Sequence, residues 1–268
     1  MPTVIHTRRR ILQMAGAGLA ARALTAQSVG VRGTSIEHLS VQVSDMQRSL
    51  EFYRKLLGMT LVSEDRSKEL VRIGYGKRYL ISLHRKEPYG LIDHYAIAVD
   101  NHDQKAVAGK LAAQGIQAVD GDDAGFHVKD PDGVRVQITT TAVPAAGSGS
   151  GVVRVQMLHH VNTQVTNVGT SETFYRNVFG FGPSKRVQGP DNHGLYFPDG
   201  GLVILQTSQK PGKLDHFCLG VEKFDADRMR AAANQVFPGK VQGTAKDNFA
   251  VLDPDGVRVQ LSATDWSA

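Results

Sequence analysis

The chain has 268 residues, enough for one large domain or two domains of ordinary size, and 41% of them are hydrophobic. No run reaches about 18 consecutive apolar residues, so the sequence predicts no membrane-spanning helix. The formal charge is +5, from 31 basic and 26 acidic residues, but four arginines lie in residues 1–26, and without them the balance is 27 − 26 = +1. A nearly neutral body gives no support to nucleic-acid binding.

The first 26 residues have the composition of a targeting segment. Residues 7–13 (TRRRILQ) resemble the twin-arginine export signal of bacteria, and a run rich in Ala and Gly follows, with small residues at Ala21, Ala23 and Ala26. We therefore expect residues 1–26 to be a signal peptide and the protein to be exported, to the periplasm in bacteria. The alternatives are a basic amphipathic helix or a disordered tail.

The rest of the chain is an internal duplication. Residues 130–137 (DPDGVRVQ) recur unchanged as residues 253–260. Residues 49–54 (SLEFYR) are matched by residues 171–176 (SETFYR), at an offset of 171 − 49 = 122. A repeat of this length indicates a duplicated domain rather than a solenoid unit.

The boundaries of the two copies follow from a segment of small residues between them. Residues 143–151 (VPAAGSGSG) have the composition of a flexible linker. The sequence therefore predicts one domain at 35–140, a linker at 141–153 and a second domain at 154–264.

The spacing of apolar residues predicts the same order of elements twice within each copy. In the first copy these are a strand at 36–43, a helix at 46–57 ended by Gly58, and strands at about 60–65, 69–74 and 78–84. A strand at 93–99, a helix at 103–114 ended by Gly115, and strands near 117–119, 125–129 and 134–140 follow. We therefore predict an α+β fold of paired βαβββ modules, with helices on one sheet face and an open half-barrel cleft on the other.

The alternation of side chains along each strand predicts which residues face the cleft. In strand 36–43 the residues Leu39, Val41 and Val43 form the apolar face, so His38 points to the opposite side. The same reasoning places six residues on the cleft side: His38, His94 and Gln137 in the first copy, and His160, His216 and Gln260 in the second. Two imidazoles and an oxygen ligand suit Fe(II) or Mn(II), although an amide oxygen brings no charge. The alternative is that these histidines are buried and hydrogen-bonded, with no metal.

The first copy carries more polar residues on its cleft side, so we expect the functional site there. His127 and His84 are candidate acid–base groups, and Arg135 is a candidate for holding a substrate carboxylate. The alternative for each is an exposed residue without a catalytic role. We expect Asp132 to be structural, because it lies in a tight turn, and Cys218, the single cysteine, to be a small buried filler.

These motifs together resemble the vicinal oxygen chelate superfamily, which includes glyoxalase I, extradiol ring-cleavage dioxygenases and bleomycin-resistance proteins. The resemblance is carried by residues 37–39 (EHL), the FY pair with the following Gly58, the DH pair at 93–94, the DPDG turn at 130–133, and the copies of each. It covers about residues 35–140 and 155–263. It implies a divalent metal held by the same six His and Gln residues that strand alternation selects.

The sequence departs from the family pattern at several places. Ser82 and Ile204 stand where glyoxalase-type sites have a fourth ligand, usually Glu, which disfavours a lyase. The third ligand is Gln rather than Glu. His127 and Ala250 stand where ring-cleaving members carry a Tyr, and no catalytic histidine precedes either of them.

The resemblance implies an enzyme most like an extradiol dioxygenase, whose small-molecule substrate chelates a divalent metal through two adjacent oxygens. The alternatives are a metal-free small-molecule binding protein of the bleomycin-resistance type, a glyoxalase-type lyase, and a module whose cleft is filled by its own side chains. We expect neither nucleic acid nor a membrane as a partner. A homodimer is an open alternative to a monomer.

Overall fold

The computed structural model describes residues 31–76, 78–100, 103–120, 126–139 and 146–264. The predicted signal peptide and residues 141–145 of the predicted linker lie outside the described residues. The described part of the chain contains four α-helices and sixteen β-strands. Within it, no helix is both long and apolar enough to cross a bilayer.

The elements follow the predicted order in both halves, which confirms the α+β prediction. The first half contains β1 (Gly33–Gln42), α1 (Met46–Leu57), β2 (Thr60–Asp65), β3 (Leu70–Tyr75), β4 (Arg78–His84), β5 (Leu91–Val99), α2 (Gln104–Ala112), β6 (Val119–Asp120), β7 (Phe126–Lys129) and β8 (Arg135–Thr139). The second half contains β9 (Val155–Val165), α3 (Val168–Phe179), β10 (Gly182–Gly189), β11 (Asn192–Tyr196), β12 (Leu202–Thr207), β13 (Lys213–Val221), α4 (Ala226–Val236), β14 (Val241–Gln242), β15 (Asn248–Leu252) and β16 (Arg258–Ala263).

Each half forms an eight-stranded sheet from two four-stranded modules. The strand orders are β2-β3-β4-β1-β5-β8-β7-β6 and β10-β11-β12-β9-β13-β16-β15-β14. Within a half, the first strands of the two modules pair antiparallel, as β1 with β5 and β9 with β13. The two sheets join where Ile92 of β5 pairs with Leu214 of β13. The first and last strands of the modules, which carry the predicted ligands, therefore lie at the centre of each sheet.

The first helix shows how the local sequence sets the element boundaries. The Asp45 carboxylate accepts the backbone N–H of Arg48 at 3.0 Å and caps the start of α1. Gly58 ends the helix with φ of 65°, and a Cβ at this position would lie 2.6 Å from the carbonyl oxygen of Gly149. Both the left-handed backbone and the close approach of the linker therefore require glycine here. Apolar side chains of the helix, such as the fully buried Leu56, pack on the sheet.

Six β-bulges interrupt the central strands of the two sheets, and four of them lie directly before a predicted histidine ligand. The extra residues of these four bulges are Glu37 in β1, Asp93 in β5, His159 in β9 and Asp215 in β13. Each bulge resets the alternation of side chains, so that Ile36, two residues before His38, still packs in the core. Uninterrupted alternation would have placed Ile36 on the cleft side with His38.

The two halves are connected by a reciprocal pair of hydrogen bonds. Tyr53 of α1 donates its hydroxyl to Asp253 at 3.1 Å, and Tyr175 of α3 donates its hydroxyl to Asp130 at 3.0 Å. Both carboxylates belong to the DPDG turn of the opposite half, where Gly133 and its copy adopt φ of 90° and 92°. The repeated motif therefore builds the contact between the halves.

Asp132, the second acid of the first turn, bonds to the backbone N–H of Thr166 at 3.0 Å across the same boundary. The expectation that Asp132 is structural therefore holds.

Candidate functional site

The second half brings its three predicted ligands around one cavity. His160 on β9, His216 on β13 and Gln260 on β16 all line it. The Nε2 atoms of the two imidazoles lie 3.3 Å apart. Two nitrogens that each lie about 2.1 Å from one ion have this separation when the angle between the two bonds is about 100°. The separation of the two nitrogens therefore fits a shared ion.

The cavity has a volume of about 290 Å³, at the small end of ligand sites. Its lining combines the three predicted ligands with amide and apolar side chains, one hydroxyl and one carboxylate. The lining residues are His160, Asn162, Val187, Asn192, Ile204, His216, Asp247, Asn248, Gln260 and Ser262. Ile204 occupies the position of the fourth ligand in glyoxalase-type sites, and it presents an apolar wall there.

The bulged residue before each histidine contacts the Nδ1 atom of that imidazole. In the second half Asp215 Oδ2 lies 2.8 Å from His216 Nδ1, and Arg258 lies 3.4 Å from the same carboxylate oxygen. The hydrogen bond with His216 lowers the pKa of Asp215, and Arg258 acts in the same direction. A carboxylate on Nδ1 fixes the ring and leaves Nε2 for an ion, the usual arrangement behind a ligating histidine.

His160 has a different neighbour, because its Nδ1 lies 2.9 Å from Nδ1 of His159. Burial, followed by the nearby imidazoles of His159 and His216, holds the pKa of His160 well below its usual value. His160 is therefore neutral at physiological pH, the form in which an imidazole binds a metal.

A chain of amide contacts fixes the orientation of Gln260. Its Nε2 donates to Asn248 Oδ1 at 2.9 Å, and Asn248 Nδ2 donates to Asp247 Oδ1 at 2.9 Å. With its amide nitrogen committed to Asn248, Gln260 turns its buried Oε1 away from that contact. The amide oxygen is the atom that a hard or borderline cation prefers.

The first half has the same ligand pattern, with a third imidazole packed beside it. The rings of His38 and His94 lie edge to face with their centroids 5.9 Å apart. His127, which is fully buried, packs edge to face on His94 at 4.7 Å. His127 is paired with Gln137 across β7 and β8, as Ala250 is paired with Gln260 in the second half. An imidazole therefore stands where the second half has only a methyl group.

The sequence predicted His127 and His84 as acid–base groups, with an exposed position as the alternative, and the structure places the two residues differently. His127 is not a surface residue, since its ring lies in the buried cluster. His84 is paired with Gln42 at the end of β4. That position is four residues along from His38, about 13 Å at the rise of a strand. The structure therefore does not bring His84 to the histidine pair.

Arg135 is engaged with an acidic partner in the structure. One guanidinium nitrogen lies 2.8 Å and 3.1 Å from the two carboxylate oxygens of Asp93, which in turn contacts Nδ1 of His94 at 2.7 Å. Although burial opposes it, these contacts lower the pKa of Asp93. Arg135 thus supports a histidine through a carboxylate, and a role in binding a substrate carboxylate stays a prediction.

Three residues of the second half form a further group with metal-binding atoms. The ligand atoms of His159, His160 and Cys218 lie within 4.8 Å of one another, and all three residues are buried. Cys218 is paired with His160 and Gln260 in the register, so it lies between them on the central strand. Burial raises the pKa of the Cys218 thiol to about 12, which keeps the sulfur protonated and a poor ligand.

Strand alternation did not identify Asn248 or the four bulged residues as parts of the site. The DH pairs at 93–94 and 215–216 carried a partial signal, since an acid directly precedes each histidine. Adjacent residues of a regular strand point to opposite faces, so this acid would not be assigned to its neighbour's ring. A bulge removes that restriction, and bulges leave no clear mark in one sequence.

Comparisons with known proteins agree with this architecture. The model of the Glyoxalase/Bleomycin resistance protein/Dioxygenase superfamily matches residues 35–138 and 157–261. Lactoylglutathione lyases of Escherichia coli O157:H7 and Shigella flexneri are each 26% identical over 131 residues, covering 42% of this chain and 97% of the relative.

Among solved structures, homoprotocatechuate 2,3-dioxygenase of Brevibacterium fuscum, in complex with 3,4-dihydroxyphenylacetate, superposes with a TM-score of 0.72 at 14% identity, over 90% of this chain and 83% of that one. The 2,3-dioxygenase LapB of a Pseudomonas species gives a TM-score of 0.68 at 16% identity, over 89% and 95% of the two chains. At these identities the likeness concerns the fold alone. The family model covers most of both halves, so the chain belongs to the Glyoxalase/Bleomycin resistance protein/Dioxygenase superfamily, with one family domain in each half.

Proposed function

We propose that the second half is the active centre of a divalent-metal enzyme whose small substrate binds through two adjacent oxygen atoms. The observation that carries the proposal is the 3.3 Å separation of His160 Nε2 and His216 Nε2 in a cavity that Gln260 also lines. The metal roles of His38, His94 and Gln137 are not part of it, because the buried imidazole of His127 packs on His94 in the first half.

The residues present fit Fe(II) or Mn(II). His160, His216 and Gln260 would hold the ion through two nitrogens and one oxygen, the donor types of facial sites with open positions. When bound, the ion would act as a Lewis acid that lowers the pKa of the substrate's oxygens. All three protein donors are neutral, so an anionic chelating substrate would supply the missing negative charge.

The surroundings of the two imidazoles hold a proton on Nδ1 of His216 and keep His160 in the neutral form that binds a metal. Asp215 accepts the Nδ1 proton of His216, and the lowered pKa of this carboxyl keeps it ionised as the pH falls. His160 stays neutral because burial opposes its protonation. The bulges thus hold both rings through Nδ1, with the two Nε2 atoms facing each other across 3.3 Å.

The lining indicates the class of substrate. No lysine or arginine of the described residues lines this cavity, so it offers no cation to a remote carboxylate. Val187 and Ile204 can pack on an apolar body, while Asn162 and Asn192 can bond to uncharged polar groups. A catechol-type molecule with an uncharged ring substituent fits this chemistry, and oxidative ring cleavage is the first reaction to test. The structural likeness to ring-cleaving dioxygenases supports this choice.

The duplication supplies a matched control for the test. We expect the purified chain, loaded anaerobically with Fe(II) or Mn(II), to bind about one ion. His216→Ala should abolish binding, and His94→Ala at the matching place of the first half should leave it unchanged. If neither metal binds or raises the melting temperature, the enzyme proposal fails and a metal-free binding protein remains. If only His94→Ala abolishes binding, the assignment to the second half is wrong.

The reaction itself is tested with the metal-loaded chain. Substrate-dependent oxygen consumption with catechols, absent in His216→Ala, would support ring cleavage. Turnover of a hemithioacetal without oxygen consumption would support the lyase alternative, despite Ile204 in the place of the fourth ligand.

We also propose that the protein is exported by the twin-arginine route, on the resemblance of residues 7–13 to that signal. Replacing Arg8 and Arg9 by lysine should retain the full-length chain in the cytoplasm. Equal processing and periplasmic recovery of this variant would contradict the proposal.

A further inference from the structure

The linker between the halves occupies a groove on the first half. Gly149 donates its N–H to the carbonyl of Gly58 at 3.0 Å, and Ala146 donates to the carbonyl of Gly76 at 2.6 Å. Gly147 lies against Thr60, and an ideal Cβ at Gly147 would be 3.7 Å from the Thr60 Cβ. Residues 146–151 therefore run across the end of α1 and the first residues of β2.

The second half has the same groove at the equivalent place. Adding the repeat offset of 122 converts Gly58, Thr60 and Gly76 into Gly180, Gly182 and Pro198. These three residues, with Pro183 and Tyr196, line a cavity of about 380 Å³. A Cβ at Gly182 would meet no described atom within 4 Å, whereas the side chain of its equivalent, Thr60, lies against Gly147 of the linker.

The chain also enters the two grooves in the same way. Val153 donates its N–H to the carbonyl of Leu56 at 3.0 Å, just after the linker leaves the first groove. The equivalent residue, Val31, donates to the carbonyl of Val178 at 2.8 Å, two residues before Gly180. The described chain therefore begins beside the groove of the second half, at the point where the linker leaves the groove of the first.

We propose that the groove at Gly180, Gly182 and Tyr196 is the docking site for the chain's own residues 24–29. These residues are equivalent to residues 146–151 of the linker, since 146 − 122 = 24 and 151 − 122 = 29. One residue separates them from the anchored Val31, so they are within reach of the groove. Leu24 and Val29 add apolar side chains that the glycine-rich linker lacks.

One difference between the grooves limits the hydrogen bonding. Gly76 donates its N–H to Gly147 at 3.1 Å, whereas Pro198 has no N–H to donate. Among the loop and turn bonds of the described residues, none ends on the Pro198 carbonyl, so one of the two bonds at this position could still form. The predicted cleavage point after Ala26 would fall inside the docked segment, so leader removal would take residues 24–26 out of the groove.

Engineered disulfides test the proposal directly. The 3.7 Å separation at Gly147 and Thr60 matches the Cβ distance of a disulfide, so Thr60→Cys with Gly147→Cys is the positive control. The test variant is Gly182→Cys with Thr25→Cys, its equivalent by the 122-residue offset. Thr25→Cys with Thr60→Cys is the negative control, because the linker fills that groove. Cys218 is buried with a thiol pKa of about 12, so it does not compete.

The full-length chain is made by cell-free synthesis, so that no peptidase removes the leader, and is then oxidised mildly. We expect an intrachain disulfide in the test variant and the positive control, and two free thiols in the negative control. Free thiols in the test variant, or a disulfide-linked dimer that places a second copy in the groove, would overturn the proposal.

A second measurement does not depend on new cysteines. A chain that begins at residue 30 should melt at least about 2 °C below one that begins at residue 24, because it lacks the contacts of the docked segment with the groove. Equal melting temperatures would count against docking.

Discussion

Asn248→Ala is the sharpest test of how the second half holds a neutral ligand. The Asn248 side chain accepts the Gln260 amide N–H at 2.9 Å, and this contact decides which end of the Gln260 amide faces the histidines. Removing a residue that orients a metal ligand costs about 10–100-fold in metal affinity. That factor corresponds to about 1.4–2.7 kcal/mol. We expect this loss in titrations with Mn(II), followed by calorimetry or by thermal shift.

The control for Asn248→Ala is Asn192→Ala. Asn192 lines the same cavity from β11, so its removal changes the volume and polarity of the cavity without freeing the Gln260 amide. The control should bind Mn(II) within about threefold of the parent chain. An Asn248→Ala variant that binds as tightly as the parent would refute the reasoning, because Gln260 would then need no fixed orientation or would not be a ligand.

Three further predictions follow from other contacts. Tyr53→Phe and Tyr175→Phe should each lower the free energy of unfolding by about 1.5–3 kcal/mol, because each leaves a buried carboxylate with one hydrogen bond fewer. Denaturant titration measures this change. Tyr89→Phe is the control and should have no effect, because Tyr89 is exposed. The hydrogen bond with His216 lowers the pKa of Asp215, so its stabilising contribution is present above the usual pKa of an Asp carboxyl and is lost as the pH falls through the lowered, folded-state value. Asp215→Asn should therefore flatten the acid side of the stability profile, and an unchanged profile would contradict this. Ala250→His should abolish metal binding by filling the cavity, and an unchanged metal content would show that the centre tolerates a third imidazole.

The architecture was predictable because its signals are local and occur twice. The helix at 46–57 has a capping Asp45 at one end and Gly58 at the other, and the structure confirms both boundaries. Alternation along β5 placed His94 on the cleft side because no bulge separates it from Val99. The repeat then carried each assignment to the second half.

The half that we propose as the active centre differs from the half that the sequence favoured. Counting polar residues favoured the first half, and His127 was part of that count. In the structure His127 is fully buried against His94, so this polar residue packs within the histidine cluster and is not exposed in the cleft. Whether a side chain lines a cavity or fills it depends on packing between strands that are distant in sequence, and strand alternation carries no information about this.

The reciprocal tyrosine contacts have a consequence for how the gene can be divided. In each half, the tyrosine of the first helix bonds to the DPDG turn of the opposite half. A half expressed alone would therefore expose both its helix tyrosine and its turn carboxylate without their partners. Two polypeptides separated at the glycine-rich linker should therefore recognise each other and reassemble as a heterodimer. An ancestor with only one such unit would have met the same requirement by pairing with an identical copy of itself.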